Sequence, residues 1–311
     1  MKTIVYTEFG PPEVLKIKEM EKPSPKENEV LIKVHATSVT IGDVIVRRGK
    51  HHTSKFQTVM LHVMLGIKKP KKPILGMELA GEIEEIGENV ALFNKGDKVF
   101  ASTEFKFGGY AEYKCMPEDG IIALKPENMT YEEAAAGIAS GGITALVVLR
   151  KANIQKGQKV LIYGASGSVG TFAVQIAKNF GAEVTGVCST SNLEMVRSIG
   201  ADNVIDYTKK DFTESDDTYD VIFDAVARLS SSRGKQVLKK GGIYLNVIRD
   251  SPSKLKIGDL VYLKELAEAG KIKPVIDRQY PFEQIVDAHR YVEKGHKKGN
   301  VVITIVQEDS L

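Results

Sequence analysis

The sequence predicts an α/β protein with an irregular all-β part and a doubly wound part built on a parallel sheet. Three observations lead there. Up to Pro126 the chain reads as short strands separated by Pro and Gly. Beyond Pro126, strand and helix patterns alternate. In that second stretch Gly164, Gly167 and Gly170 fall directly between an apolar strand and a helix. A length of 311 residues fits two domains at about 150 residues each.

The early strands are Thr3–Thr7, Leu15–Glu19, Glu29–Ser38, Glu78–Ile86 and Asp97–Ala101, with breaks such as Gly10-Pro11-Pro12 and Pro23-Ser24-Pro25. Tyr131–Leu149 follows as one long helix with Thr130 as its N-cap. Next come strand Lys159–Ala165, helix Val169–Phe180, strand Glu183–Cys188, helix Leu193–Ile199, and strands Asn203–Asp206, Asp220–Ala225 and Ile243–Val247. These strands are continuous apolar runs, the pattern of a parallel sheet covered on both faces. A helix from Gly258 to about Ala269, strand-like Val275–Arg278, helix Phe282–Lys294 and strand Val301–Ile305 close the chain. That tail is too short for a domain and is expected to rejoin the first part. The division is therefore 1–127 with 258–311, and 128–257.

Hydrophobic residues make up 42% and charged residues 27%, which excludes a disordered or fibrous chain. A formal charge of +3 is too small to expect a nucleic-acid partner. The apolar stretch Ala134–Leu149 is broken by Gly137, Ser140, Gly141, Gly142 and Thr144 and falls short of the ~20 residues of a membrane span, so no membrane partner is expected. The N-terminus carries no signal-peptide core. Two cysteines far apart, Cys115 and Cys188, make no disulfide framework and predict a reducing, cytoplasmic location.

The glycine turn carries the chemistry. Gly164 permits a tight turn, Gly167 lets backbone approach a pyrophosphate, and Gly170 lets the helix pack on the strand. The helix N-terminus offers N–H groups and the positive dipole end. Ser166, Ser168 and Val169 complete the turn. At the end of the second strand, Ser189-Thr190-Ser191-Asn192 stands where an acidic residue would bind a ribose 2′-hydroxyl. Ser189, Thr190 and Asn192 can accept a 2′-phosphate, Tyr207 can close over it, and the same residues also make a good helix N-cap. The expected cofactor is NADPH, with NADH as the alternative. Thr144, Ala225, Val226 and Val247 are also assigned to the cofactor cleft.

The chain resembles the medium-chain dehydrogenase/reductase superfamily, in its quinone oxidoreductase-like branch. The resemblance rests on NEVLIKVHATSVTIGD, PILGMELAGEIEEIG, GGYAEY, GASGSVG, GADNVIDY, YDVIFDAV and VDAHRYVEKGHKKGNVVITI. It implies a GroES-like β domain and a Rossmann domain, with substrate and nicotinamide in the cleft between them. It also implies hydride transfer to quinones or α,β-unsaturated carbonyl compounds. The family's zinc positions hold Thr40 and Met77, with no Cys or Asp in AAAGIASGG, so no metal is expected. Thr40 takes the place of an oxyanion donor and Asp43 matches the family's Asp; both are the catalytic candidates. The family's Gly after FDAV is Ala227.

Two departures stand out. Gly49–Pro73 is longer than in simple quinone reductases; Met60, Met64 and Leu65 are expected to face apolar substrate, and Lys68–Lys72 to form a solvated loop. After Ile248 only a short segment precedes Gly258, so the Rossmann domain reads as shortened after its fifth strand. That removes the edge through which the family commonly dimerises and leaves any homo-oligomer without it. The alternatives are a zinc-type alcohol dehydrogenase, or a cofactor-binding protein with reduced or lost catalysis.

Overall fold

The structure is a computed structural model and describes residues 1–50, 62–63, 65–66, 69–214 and 216–306. Met60, Met64 and Lys68 lie outside the described residues. The chain divides into two compact units, one of residues 1–139 with 276–311 and one of residues 140–275. These will be called the β unit and the αβ unit.

The β unit opens with β1 (Lys2–Val5), β2 (Lys16–Glu19), β3 (Glu29–Ser38), α1 (Ile41–Arg48), β4 (Glu78–Ile86), β5 (Lys98–Ser102), β6 (Tyr113–Pro117), β7 (Ile122–Leu124) and α2 (Tyr131–Ala134). The αβ unit runs through α3 (Ile143–Arg150), β8 (Lys159–Tyr163), α4 (Ser168–Asn179), β9 (Glu183–Cys188), α5 (Leu193–Ser198), β10 (Asn203–Asp206), β11 (Tyr219–Asp224), α6 (Ser231–Gln236), β12 (Leu238–Asn246), α7 (Val247–Asp250) and α8 (Ile257–Glu268). The chain then returns to the β unit with β13 (Ile276–Pro281), α9 (Ile285–Glu293) and β14 (Asn300–Thr304).

In the β unit, β13, β14, β3, β4, β5 and β7 lie side by side, and β6 also pairs with β3. The C-terminal β14 runs antiparallel to β3, with Val302 opposite Ser38. Two register shifts between β3 and β4 bend the sheet, so β3 buries residues on both faces. Leu65 is packed in the core with Tyr6, Val44, Leu75 and Phe282, so it does not wall a substrate cleft.

The αβ unit holds five parallel strands in the order β10-β9-β8-β11-β12. The chain moves outward from β8 in one direction and then from β11 in the other, so β8 and β11 flank the switch point where such sheets bind ligands. Among the described residues the sheet ends at β12.

Three expectations change. The helix read over Tyr131–Leu149 is broken: Gly137 takes φ 86°, a π turn covers Ile138–Gly142, and α3 begins only at Ile143. Val247 opens α7 instead of ending a strand, because the Asn246 side chain accepts the N–H groups of Ile248 (2.9 Å) and Arg249 (3.3 Å) and caps a helix there. The unit boundaries fall at 139/140 and 275/276, not 127/128 and 257/258. Helix α8 stays with the αβ unit because it packs on α3, and buried Asp259 pairs with Arg150 at 2.5 Å.

One loop is held by a single carboxylate. Asp224, fully buried at the end of β11, accepts the N–H groups of Val226 (3.2 Å), Arg228 (3.3 Å) and Leu229 (2.9 Å), and Asn246 Nδ2 at 3.2 Å. Wrapping the chain around Asp224 puts Ala227 at φ 52°, in the left-handed region. That conformation costs a side-chain-bearing residue about 1–2 kcal/mol, while glycine's extra unfolded-state freedom costs about 0.4–1 kcal/mol. Ala227→Gly is expected to raise stability by up to about 1 kcal/mol, read as a higher urea midpoint. A lower midpoint would show that Ala227 carries no strain.

Candidate functional site

The turn after β8 is built as a cradle. The N–H groups of Gly164 and Ala165 both donate to Val187 O (3.1 and 3.0 Å), which ties the turn to β9. Gly164 sits at φ 81°, and a Cβ there would lie 2.5 Å from Val226 Cγ1. A Cβ on Gly170 would overlap the Gly164 carbonyl, so α4 rests directly on the turn. Gly167 is different: a Cβ there would meet only Gly164 O, at 3.6 Å. No side chain caps the first turn of α4. Backbone N–H groups at Ser168, Val169 and Gly170 therefore present the helix's positive end.

A second set of groups joins from β9. Asn192 is buried, and its Nδ2 donates to both Ser166 Oγ and Ser189 Oγ, each at 3.1 Å. Each serine oxygen is thus an acceptor from Asn192 and keeps its own proton to give to an anion. Asn192 acts as the clamp that sets Ser166 beside Ser189. Thr144 lies in the first turn of α3, whose preceding Gly141 is packed against Ser168.

Strand order adds what the local sequence did not reveal. Because β10 lies beside β9, Asp206 at its end stands 2.5 Å from Thr190 Oγ1. A carboxylate is therefore present, contrary to the reading of Ser189–Asn192 alone. Its oxygens also accept Thr208 N–H (3.0 Å) and Thr208 Oγ1–H (2.7 Å); the Thr190 bond first, then those from Thr208, hold its pKa below the usual range. Cations arrive by the same route. Lys209 and Lys210 line a cavity of about 320 Å³ with Tyr163, Tyr207, Phe212 and the Asp211–Arg233 ion pair (2.6 Å). Tyr207 is 54% exposed, so its ring is free to cover a ligand. Ala225, Val226 and Val247 follow β11 and β12, with Val226 against Gly164.

The β unit holds the two catalytic candidates. Thr40 is the N-cap of α1: its Oγ1 accepts Asp43 N–H at 3.1 Å, and Asp43 Oδ2 accepts Thr40 N–H at 2.9 Å. The Thr40 hydroxyl donates to Asp43 Oδ2 at 2.6 Å. Asp43 is fully buried; its Oδ1 accepts Gly76 N–H at 3.0 Å, and the nearby Tyr110 hydroxyl also favours its charged form. Tyr110 Oη lies 3.1 Å from His289 Nε2, and His289 Nδ1 lies 3.3 Å from Arg47 Nη1. Arg47, buried, pairs with Glu293 at 2.9 Å. His289, on α9, is fully buried in this chain of polar groups.

The positions that the family resemblance assigns to zinc hold Thr40 Oγ1 and, 3.6 Å away, Met77 Sδ. A hydroxyl already committed to Asp43 and a thioether do not match the thiolate, imidazole and carboxylate donors that zinc takes. Among the described residues, no group of three or more His, Cys, Asp or Glu is placed to hold a metal.

Comparison with known proteins places the chain among the dehydrogenases. Residues 26–127 match the alcohol dehydrogenase GroES-like domain family. Residues 168–272 and 252–303 match two zinc-binding dehydrogenase families. The chain is 34% identical to 2-methylene-furan-3-one reductase of Solanum lycopersicum, over 97% of this chain and 79% of the relative. It is also 34% identical to the chloroplastic NADPH-dependent alkenal/one oxidoreductase of Arabidopsis thaliana, with the same coverage. The solved quinone oxidoreductase of Coxiella burnetii superposes with a TM-score of 0.81 at 30% identity, covering 98% of this chain and 99% of that one.

The three glycines are expected to fail differently. Gly170→Ala must push backbone aside, so it should lower the melting temperature. Gly167→Ala should melt as the parent does and bind NADPH at least about tenfold more weakly, because its methyl fills the space beside the α4 N-terminus. Calorimetry and NADPH fluorescence titration read the two effects separately. Unchanged affinity in Gly167→Ala would remove this turn as the pyrophosphate site.

Proposed function

Because this chain belongs to the medium-chain dehydrogenase/reductase superfamily, we propose that it is an NADPH-dependent reductase of quinones or α,β-unsaturated carbonyl compounds that works without zinc. The observation that carries the coenzyme half is the cradle around Gly167, where α4 N–H groups and the Ser166 and Ser189 hydroxyls converge. The reductase names of the relatives support the substrate class.

A reduced nicotinamide, when bound, supplies the hydride. The chain's residues do the rest. The Gly164–Gly170 turn and the first turn of α4 hold the pyrophosphate. Lys209 and Lys210, with Ser189 and Tyr207, answer the charge of a 2′-phosphate, which outweighs the single carboxylate of Asp206 already engaged by Thr190 and Thr208. In the β unit, Thr40 offers the hydroxyl that can meet the oxygen of a carbonyl substrate, and buried Asp43 holds that hydroxyl from behind. The donor set at Thr40 and Met77 favours hydrogen-bond polarisation over a Lewis acid. The two free cysteines, one of them buried, favour a cytoplasmic setting.

The test follows NADPH and NADH oxidation against a panel of quinones, enones and simple ketones, with and without chelator. Consumption of NADPH with a quinone or enone, unchanged by chelator, is the expected result. Loss of activity on chelation would overturn the zinc-free reading. Tight NADPH binding with no turnover on any acceptor would instead mark a cofactor-binding protein whose catalysis is lost. Replacing Lys209 and Lys210 together by Ala should weaken NADPH binding about tenfold while leaving NADH nearly unchanged; equal losses for both coenzymes would take the 2′-phosphate away from this cavity.

A further inference from the structure

We propose that Asp43 decides whether Thr40 offers a proton to a substrate oxygen: ionised, it draws the Thr40 hydroxyl inward, and protonated, it releases that hydroxyl to donate outward. The inference rests on the reading above that the chain reduces a carbonyl compound.

The hydrogen-bond inventory requires it. Thr40 Oγ1 carries one proton and two lone pairs. One lone pair is taken by Asp43 N–H at 3.1 Å, and the proton is given to Asp43 Oδ2 at 2.6 Å. With Asp43 ionised, only a lone pair remains for an incoming carbonyl oxygen, and two acceptors repel. A proton on Oδ2 reverses the 2.6 Å bond without moving a heavy atom. Oδ2 still accepts Thr40 N–H (2.9 Å), and Oδ1 still accepts Gly76 N–H (3.0 Å). Thr40 Oγ1 then accepts from both Asp43 N–H and Asp43 O–H, and its own proton becomes available.

The groups behind Asp43 have a fixed direction. The guanidinium of Arg47, on α1, can only donate, so His289 Nδ1, on α9, is the acceptor. The His289 proton therefore sits on Nε2 and points to Tyr110 Oη, and the Tyr110 hydroxyl in turn favours the charged form of Asp43. Burial, with Arg47 beside it, holds His289 far below the ordinary histidine range, so it stays neutral. The Arg47 charge is answered by Glu293, which also pairs with Arg48 at 2.8 Å. Tyr6, after β1, and Glu78, on β4, are further ionisable groups of this cluster, and the buried Lys297, pushed down to about 8 by burial, faces Glu78 and not Asp43. Burial accordingly pushes Asp43 up to about 6 in spite of its hydrogen bonds.

In an enone reduction the balance is as follows. Hydride forms the new C–H bond at the β-carbon, and the C=C pair moves to leave charge on oxygen. That oxygen takes the Thr40 proton, Thr40 Oγ1 takes the proton from Asp43 Oδ2, and Asp43 is left ionised until solvent reprotonates it. Because the folded-state pKa is raised, the donor form is full below about pH 6 and is lost as pH rises through it.

The test pairs a spectroscopic and a kinetic readout. Infrared difference spectra of the parent against Asp43→Asn, without substrate, should show an un-ionised carboxyl that disappears with a midpoint near pH 6. At saturating NADPH, kcat/KM for an enone should be flat below that pH and fall about tenfold per unit above it. Thr40→Val should flatten the profile at its high-pH level, and Thr40→Ser, which keeps hydroxyl and cap, should restore the slope. An Asp43 that is ionised throughout the acid range, or a slope that survives in Thr40→Val, would overturn the proposal. If no variant reduces any carbonyl compound, the reductase reading falls, and the infrared titration still decides the state of Asp43.

Discussion

Burying the Asp43 carboxylate is the demanding step around which the β unit is arranged. An isolated charge there would be far too costly, so every lone-pair direction must be answered. Thr40 answers from the start of α1 and Gly76 from the approach to β4, and the Tyr110 hydroxyl, from the approach to β6, favours the charge from nearby. Three segments distant in sequence are thereby fixed to one point. Arg47 and His289 then extend the same requirement to α9, since a buried guanidinium and imidazole must also be partnered. The capping box at Thr40 is a helix-start device. Here it is placed on a buried carboxyl.

The αβ unit uses the same economy at its own ligand face. Asn192 spends one amide nitrogen on two serines and so couples the β8 turn to the end of β9. Asp224 spends one carboxylate on three N–H groups and so brings Val226 against Gly164. Both are polar residues with no direct claim on a ligand, yet they set the walls within which a pyrophosphate would sit.

What was legible in the sequence was local. The glycine turn could be read because strand, turn and helix are consecutive, and the parallel sheet because its strands are uninterrupted apolar runs. The helix break before Ile143 was missed because the conformation of Gly137 depends on its packing against Asn300. His289 was missed because its partner Arg47 is 242 positions away. Lys209, Lys210 and Asp206 could be assigned to the nucleotide face only once β10 was known to lie beside β9. Periodicity records which face of an element is buried, and it carries no record of which distant polar group waits there.

The sheet's early end at β12 leaves one strand with its outer backbone groups unmatched among the described residues. Such a border invites edge-on stacking between copies. Here the register slips between Tyr219 and Val221, opposite a stretch that contains Lys239, Lys240 and Gly241, the last at φ 81°. Two ammonium groups and a kink make a poor template for a further strand. The border strand thus carries its own guard against aggregation.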